Sequence, residues 1–162
     1  MSEVSLLVRK AKAMDIPFLT NSWLESFREG FMVSAIPNRA YYAHHHQVIE
    51  QLLSKATTLI VCPAEEPDII MGWICAEVME VYDEANKPVP ALVIHYVYTK
   101  RTFRKAEVAK RLFTFLVEEE KPKMVLATHL TGVGARLLRK VNGTYNPYIL
   151  FMDLPKEWNK KK

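Results

Sequence analysis

The sequence predicts an α/β (α+β) fold, and three observations carry that prediction. The apolar period switches repeatedly between the alternation of a strand and the three-to-four spacing of a helix, most sharply between residues 93–98 and 108–116. Two β-rich runs, TTLIVC at 57–62 and IIMGWICAEVMEV at 69–81, flank a Pro-containing turn at 63–68 and read as an antiparallel hairpin. A chain of 162 residues that is 49% hydrophobic and 25% charged can bury one full-sized core, so a single domain over residues 1–162 is expected and a disordered chain is excluded.

Taken in order, Leu6, Leu7 and Val8 make a first strand within 5–11. Asp15 offers an N-cap and Pro17 a first-turn residue to a helix whose Ile16, Leu19, Trp23 and Phe27 recur at helical spacing up to Gly30. A connection at 31–37 leads to a second helix at 38–55, with Tyr41, Val48, Leu52 and Leu53 facing inward. The hairpin strands follow, then a polar loop at 82–90 and a central strand at 91–99. A central helix runs up to the Glu118-Glu119-Glu120 and Pro122 break. A strand at 124–130, a short helix at 132–141 closed by Asn142-Gly143, and a last strand at 148–154 complete the order, with Lys160-Lys161-Lys162 as a frayed tail. No internal repeat or low-complexity segment interrupts it.

Composition narrows the function classes. No apolar run approaches the roughly 18 residues of a membrane span, and no apolar core stands at the N-terminus, so a cytoplasmic protein without membrane contact is expected. Cys62 and Cys75 lie in separate strand-like runs without ligand spacing and read as reduced core thiols. His44-His45-His46 are neighbours that point in different directions on a helix, so no metal site is expected there. Gly132-Val133-Gly134 lacks the third glycine of a dinucleotide turn and reads as a strand-to-helix connection.

The functional centre falls at VYTKRTFRKAEVAKRLFTFL, residues 97–116, where a strand turns into a helix through a basic segment. Lys100, Arg101, Arg104, Lys105, Lys110 and Arg111 against Glu107 give that segment a charge of +5 in a chain of net +4. A helix start carries unpaired N–H groups and the positive end of the helix dipole, and nothing of the Ser, Thr, Asp or Asn type immediately precedes Arg104 to cap them. Strand, basic turn and helix therefore form a cradle for an anion.

Val97, Tyr98 and Thr99 followed by Arg104, Lys105, Ala106, Glu107, Val108, Ala109 and Lys110 resemble the acyl-CoA motif of the GNAT superfamily of N-acetyltransferases, Gln/Arg-x-x-Gly-x-Gly/Ala. Arg104 and Ala109 fit the pattern; Glu107 stands where the family has glycine. The order of elements is similar to the GNAT topology over about residues 5–154. The resemblance implies a three-layer fold, with a mixed, mostly antiparallel sheet of six to seven strands flanked by about four helices. It also implies acetyl-CoA as co-substrate, its pyrophosphate on the amides of the turn and its pantetheine arm along the preceding strand, with Arg101, Lys105 and Lys110 available to its phosphates.

The family's base position, four residues before Thr99, holds His95, which titrates near neutrality and can accept a proton directly or through water. At the family's acid position, four residues before Gly143, stands Arg139 rather than tyrosine; Tyr145 and Tyr148 lie just beyond, and Tyr145 is the candidate acid. Phe31, Met32, Tyr41, Tyr42 and the three histidines are placed to wall an acceptor site. The leading reading is an N-acetyltransferase that moves an acetyl group from acetyl-CoA to a primary amine, on a small molecule or a protein, by direct attack in a ternary complex. The alternative is a GNAT-like scaffold that has lost catalysis and serves as a protein-binding or inhibitory module, favoured by Glu107 and the missing helix tyrosine. Nucleic-acid binding lacks a recognition motif or an aromatic-basic platform.

Overall fold

The computed structural model describes residues 4–151. β-branched and aromatic runs form six strands: β1 (Leu6–Lys10), β2 (Thr57–Pro63), β3 (Gly72–Tyr82), β4 (Pro88–Thr99), β5 (Met124–Ala127) and β6 (Thr144–Tyr145). They lie side by side in sequence order. The pairs from β1 to β4 are antiparallel, whereas β4–β5 and β5–β6 are parallel. The expected mixed, mostly antiparallel sheet is thus present, with six strands.

Five α-helices accompany it: α1 (Ile16–Arg28), α2 (Phe31–Ser34), α3 (Asn38–Lys55), α4 (Val108–Glu120) and α5 (Gly132–Lys140). Of the stripes predicted for α1 and α3, Leu19, Trp23, Tyr41 and Leu52 are buried against Ile60, Trp73, Cys75 and Tyr96 of the sheet, joined by Ile49, whereas Phe27, Val48 and Leu53 are partly buried and Ile16 is exposed. On the opposite face, Val108, Leu112, Phe113 and Leu116 of α4 pack on Val61, Ile74, Leu92 and Ile94. Because both faces are covered, the middle strands are continuous apolar runs rather than alternating ones. No described helix is long and apolar enough to cross a membrane. Cys62 and Cys75 are free and buried in this core.

Several boundaries differ from expectation, each for a local reason. Asp15 does not cap α1 with its side chain. Its carboxylate instead accepts from the Lys12 N–H at 2.7 Å and from both terminal nitrogens of Arg9 at 2.8 and 3.1 Å, closing a 3-10 turn and tying β1 to α1. The Arg9 bonds hold that carboxyl below its ordinary pKa. The polar loop at 82–90 is a tight hairpin: Asp83 Oδ1 accepts the Ala85 and Lys87 amides at 2.9 Å, and Asn86 takes φ 57°.

The expected last strand at 148–154 is corrected. Strand pairing stops at Tyr145, and Pro147–Phe151 form a 3-10 turn, while residues 152–154 and the lysine tail lie outside the described residues. Pro147 supplies no N–H to a ladder, and Asn146 Oδ1 accepts the Tyr148 amide at 3.1 Å, which bends the chain out of the sheet. Ile149 still fills the core from this turn, 2% exposed, which is why the apolar run looked strand-like.

Gly72 sits where β3 passes beneath the β4–α4 junction. A Cβ there would lie 2.6 Å from both the Tyr98 carbonyl oxygen and Val108 Cγ1. Since one contact is backbone, the clash cannot be relieved by a rotamer change. Gly72→Ala is expected to destabilise the fold by about 1–3 kcal/mol in chemical denaturation, through overpacking at this junction.

Candidate functional site

β4 is longer than its parallel partner. Ala91 to Ile94 pair with Met124 to Ala127, the Thr128 amide donates to the Ile94 carbonyl at 3.1 Å, and there the pairing ends. At the same level the register with β3 slips: Cys75 faces Tyr96 whereas Ala76 faces Ile94, which leaves His95 as an extra residue in β4. Such a bulge bends a strand and increases its twist. The two strands diverge into a narrow, mostly apolar cleft with room for little more than a water molecule, about 20 Å³, walled by Ile94, Tyr96, Val97, Ala127, His129 and Leu138 among others. Thr131 caps α5 on its far side by accepting the Gly134 amide at 3.0 Å, so the Gly132-Val133-Gly134 segment is the first turn of that helix.

The basic segment follows the free end of β4. Residues Arg101–Ala106 form a 3-10 turn and α4 begins only at Val108, four residues later than the expected start at Arg104. Glu107 at the junction has φ 54° and ψ 29°, the left-handed conformation that glycine adopts without cost and that costs another residue about 1–2 kcal/mol. This explains physically why glycine suits the position. The Glu107 carboxylate caps no amide of α4; it lies 71% exposed, 3.4 Å from Lys110 Nζ. The start of α4 is therefore uncapped, and Arg101 and Arg104 are exposed beside it. Their side chains also line a groove against Glu25 and Glu29 of α1, with Tyr98 between.

Of the sequence-predicted residues, Val97 and Ala109 line the cleft, and Val108 is buried beneath α4. Tyr98 turns to the other face, against Phe18 and Trp73. Thr99 ends β4 opposite Gly72, and Lys105, Ala106 and Lys110 follow on the turn and the first turn of α4. His95 is not on the cleft wall. Its ring is fully buried, with Nε2 2.8 Å from Glu77 Oε1 and Nδ1 2.9 Å from Thr128 Oγ1. Tyr145 pairs its backbone with Ala127 beside the cleft, but its side chain is 46% exposed and is absent from the wall, and Tyr148 is 75% exposed. Glu77, Thr128 and His129 escaped sequence reading. The signal for the last two was a polar pair at the end of an apolar strand, here residues just past β5.

No family model and no curated protein matches the sequence. Solved structures do match the fold. A Pyrococcus furiosus protein assigned as an acetyl transferase superposes with a TM-score of 0.64 at 15% identity, over 86% of this chain and 92% of that one. AAC(6')-Iy, solved with a bisubstrate analogue, CoA-S-monomethyl-acetylneamine, gives 0.55 at 12% identity over 86% and 90%. A ribosomal-protein-alanine N-acetyltransferase from Brucella melitensis biovar Abortus gives 0.55 at 15% over 85% and 90%. The chain has the GNAT fold.

Within this GNAT fold an aromatic cluster packs behind His129 of the cleft wall. Trp23 and Phe27 of α1, His45 of α3 and Tyr96 of β4 contact its ring, and Tyr41 of α3 stacks on His45. His45 stacks on Phe27 at 5.0 Å and on Tyr41 at 5.3 Å, while His44 and His46 face outward. Tyr41 donates to the Leu24 carbonyl at 2.6 Å, and the Tyr96 and Ser26 hydroxyls lie 2.6 Å apart. Burial lowers the pKa of His45 to about 4. It lowers that of His129 to about 3, with His45 and His95 contributing.

Both rings are therefore neutral in the fold, whereas in the unfolded chain they protonate near their ordinary pKa of about 6.5. Between about 6.5 and about 4 the unfolded state binds more protons, so stability rises with pH across that window and is lost as pH falls through it. A loss on the order of 2 kcal/mol for each ring, about 4 for the two together, is expected between pH 7 and 4.5 in denaturant titrations. His45→Phe, which keeps the stacking and removes one of the two titrations, is expected to flatten the slope.

Proposed function

We propose that the protein is an acyl-CoA-dependent N-acyltransferase that moves an acetyl group from acetyl-CoA to a primary amine. The observation that carries this reading is the junction of a cleft between diverging strands with an uncapped, basic helix start at its mouth. The pyrophosphate sits on the amides at 104–109, where Arg104 and the α4 dipole favour negative charge. Glu107 is compatible with this because its carboxylate is directed to Lys110, away from those amides. The pantetheine arm follows the free edge of β4 past Val97, where main-chain groups beyond Ile94 lack a β5 partner and hydrogen-bond an extended ligand as a strand would.

The acetyl carbonyl then reaches the bulge, and an amide there stabilises the oxyanion as it forms. The acceptor nitrogen attacks the carbonyl carbon directly, the carbon–sulfur bond breaks, and CoA leaves as thiolate. No covalent enzyme intermediate is needed, in keeping with cysteines that are both buried away from the cleft wall. Tyr145, exposed at the sheet edge, is not used as the acid in this reading; the proton that the nitrogen gives up as the amide forms passes through water to the thiolate. The groove between α1 and the basic turn offers the Glu25 and Glu29 carboxylates, opposite Arg101 and Arg104, to a protonated amine that approaches from the α1 side.

Acetyl-CoA is expected to raise the melting temperature in a thermal-shift titration, by an amount equivalent to about 2.7 kcal/mol at a hundredfold excess over Kd. Arg104→Glu should abolish the shift. Glu107→Gly should enlarge it, since it relieves the left-handed strain and removes the carboxylate. Absence of a shift at millimolar acetyl-CoA would overturn the transferase reading and leave a scaffold of this fold that binds proteins or inhibits them. Mass-spectrometric survey of acetylated species after expression then identifies the acceptor class.

A further inference from the structure

His95 is sealed within the sheet, yet its two nitrogens connect a group at the surface with a group on the cleft wall. Glu77 Oε1 lies 2.8 Å from His95 Nε2, His95 Nδ1 lies 2.9 Å from Thr128 Oγ1, and Thr128 Oγ1 lies 3.0 Å from His129 Nδ1. Glu77 is 19% exposed at the outer end, and His129 lines the cleft at the inner end. We propose, on the basis of the acyltransferase reading, that these four residues form a proton relay in which His129 Nε2 takes the proton of the acceptor ammonium and Glu77 delivers it to solvent.

The hydrogen inventory sets the direction of the relay. Lys55 Nζ lies 3.3 Å from the same Glu77 oxygen and already pairs that carboxylate, and burial disfavours a second charge, so the relay takes the fully buried His95 ring in its neutral form. An ionised carboxylate only accepts, so His95 carries its hydrogen on Nε2 and leaves Nδ1 bare. Thr128 has one hydrogen and spends it on that Nδ1, so its oxygen must accept from His129 Nδ1–H. In that tautomer His129 Nε2 is the ring's lone pair, and the ring's further hydrogen bond, to the His95 backbone, belongs to the donor Nδ1–H.

The surroundings of His129 fit this role. Trp23 and Phe27 from α1, His45 from α3 and Tyr96 from β4 face its ring, and none of them carries a negative charge at neutral pH. A standing imidazolium is therefore unfavoured at that position, and burial holds the ring neutral and ready to accept. A proton taken at Nε2 has to move on. The transfer balances: one proton leaves the ammonium for His129 Nε2, the Nδ1 hydrogen passes to Thr128, the Thr128 hydrogen to His95 Nδ1, and the His95 Nε2 hydrogen to Glu77. The amine becomes a neutral nucleophile, Glu77 becomes a carboxylic acid that exchanges with water, and each ring returns to a neutral form. The sequence-predicted His95 thus acts through His129, as a positioning and relay residue. Trp23 and His45, whose ring centroids lie 5.3 and 5.2 Å from that of His129, each bury a ring nitrogen without a hydrogen-bond partner among the described residues.

Imidazole tautomers are read directly from long-range nitrogen–proton NMR spectra of the full chain labelled at histidine nitrogen. At pH 7, His95 is expected as the Nε2–H form and His129 as the Nδ1–H form. Thr128→Val should release His129 toward the Nε2–H form favoured by free imidazole, whereas Thr128→Ser, which keeps the hydroxyl, should leave both rings unchanged. Addition of CoA should shift the His129 Nε2 resonance. A wild-type His129 in the Nε2–H form, or His95 present as imidazolium, would overturn the relay even if Thr128→Val does not fold. CoA binding by thermal shift without change at His129 Nε2 overturns the base assignment alone, and failure to bind CoA overturns the transferase reading from which the relay takes its substrate.

Discussion

An extra residue in a β-strand cannot be paired on both sides, and most of what distinguishes this sheet follows from His95 being that residue. β4 is gripped along its length by β3, so the misfit is absorbed by bending away from β5, whose pairing ends at Ala127. The bend exposes an edge of β4 in the middle of the sheet, where unpaired main-chain groups that lose water cost about 1–3 kcal/mol each unless a ligand replaces it. A mid-sheet edge is thus tolerable mainly as a binding surface. The same misfit turns the His95 ring between β3 and β5, where Glu77 and Thr128 satisfy it. One insertion in register therefore creates both the cleft and the polar chain that leads out of it.

The architecture was largely legible in the sequence because it rests on local period. The α3 bounds Asn38–Lys55 follow from an apolar stripe between Pro37 and the β-rich run beginning at Thr57. The hairpin of β2 and β3 follows from two strand-like runs and a Pro-rich turn. The site was legible only in part. The basic turn announces itself through charge, but the start of α4 does not, because Glu107 favours helix by propensity and is held in the left-handed region by its neighbours. The Thr128–His129 pair belongs to the site only because β5 stops pairing where β4 bulges. That is a relation between segments more than 30 residues apart, to which no local pattern refers. The Tyr148 run was misread for the converse reason, since Ile149 reaches the core from a turn as well as it would from a strand.

Glu107 shows how a position can break a local rule and keep its geometry. The turn needs a positive φ there, and Asn86, Lys121 and Asn142 satisfy similar needs elsewhere in the chain, so this protein repeatedly accepts left-handed residues other than glycine. In exchange the glutamate loses the option of capping α4: with φ 54° its side chain projects outward, and Lys110, one turn along, neutralises it at 3.4 Å. A carboxylate that is exposed and paired contributes little field at the amides, because an exposed ion pair is screened by water. The charge of the turn as felt by an approaching anion is thereby set by Arg101, Arg104 and the helix dipole.

The aromatic cluster behind the cleft wall bears on selectivity in the transferase reading. The rings that contact His129, those of Trp23, Phe27, His45 and Tyr96, supply no carboxylate, so a cation brought against His129 would find no counter-ion there. Carboxylates lie instead on the outer groove, at Glu25 and Glu29. In that reading two tasks that compete if placed together would be separated: attraction of a cation outside, where water screens it, and loss of its charge beside His129, where burial favours the neutral form. A carboxylate at the wall itself would hold an ammonium more tightly and leave it less nucleophilic, an argument for a neutral histidine linked to a remote glutamate.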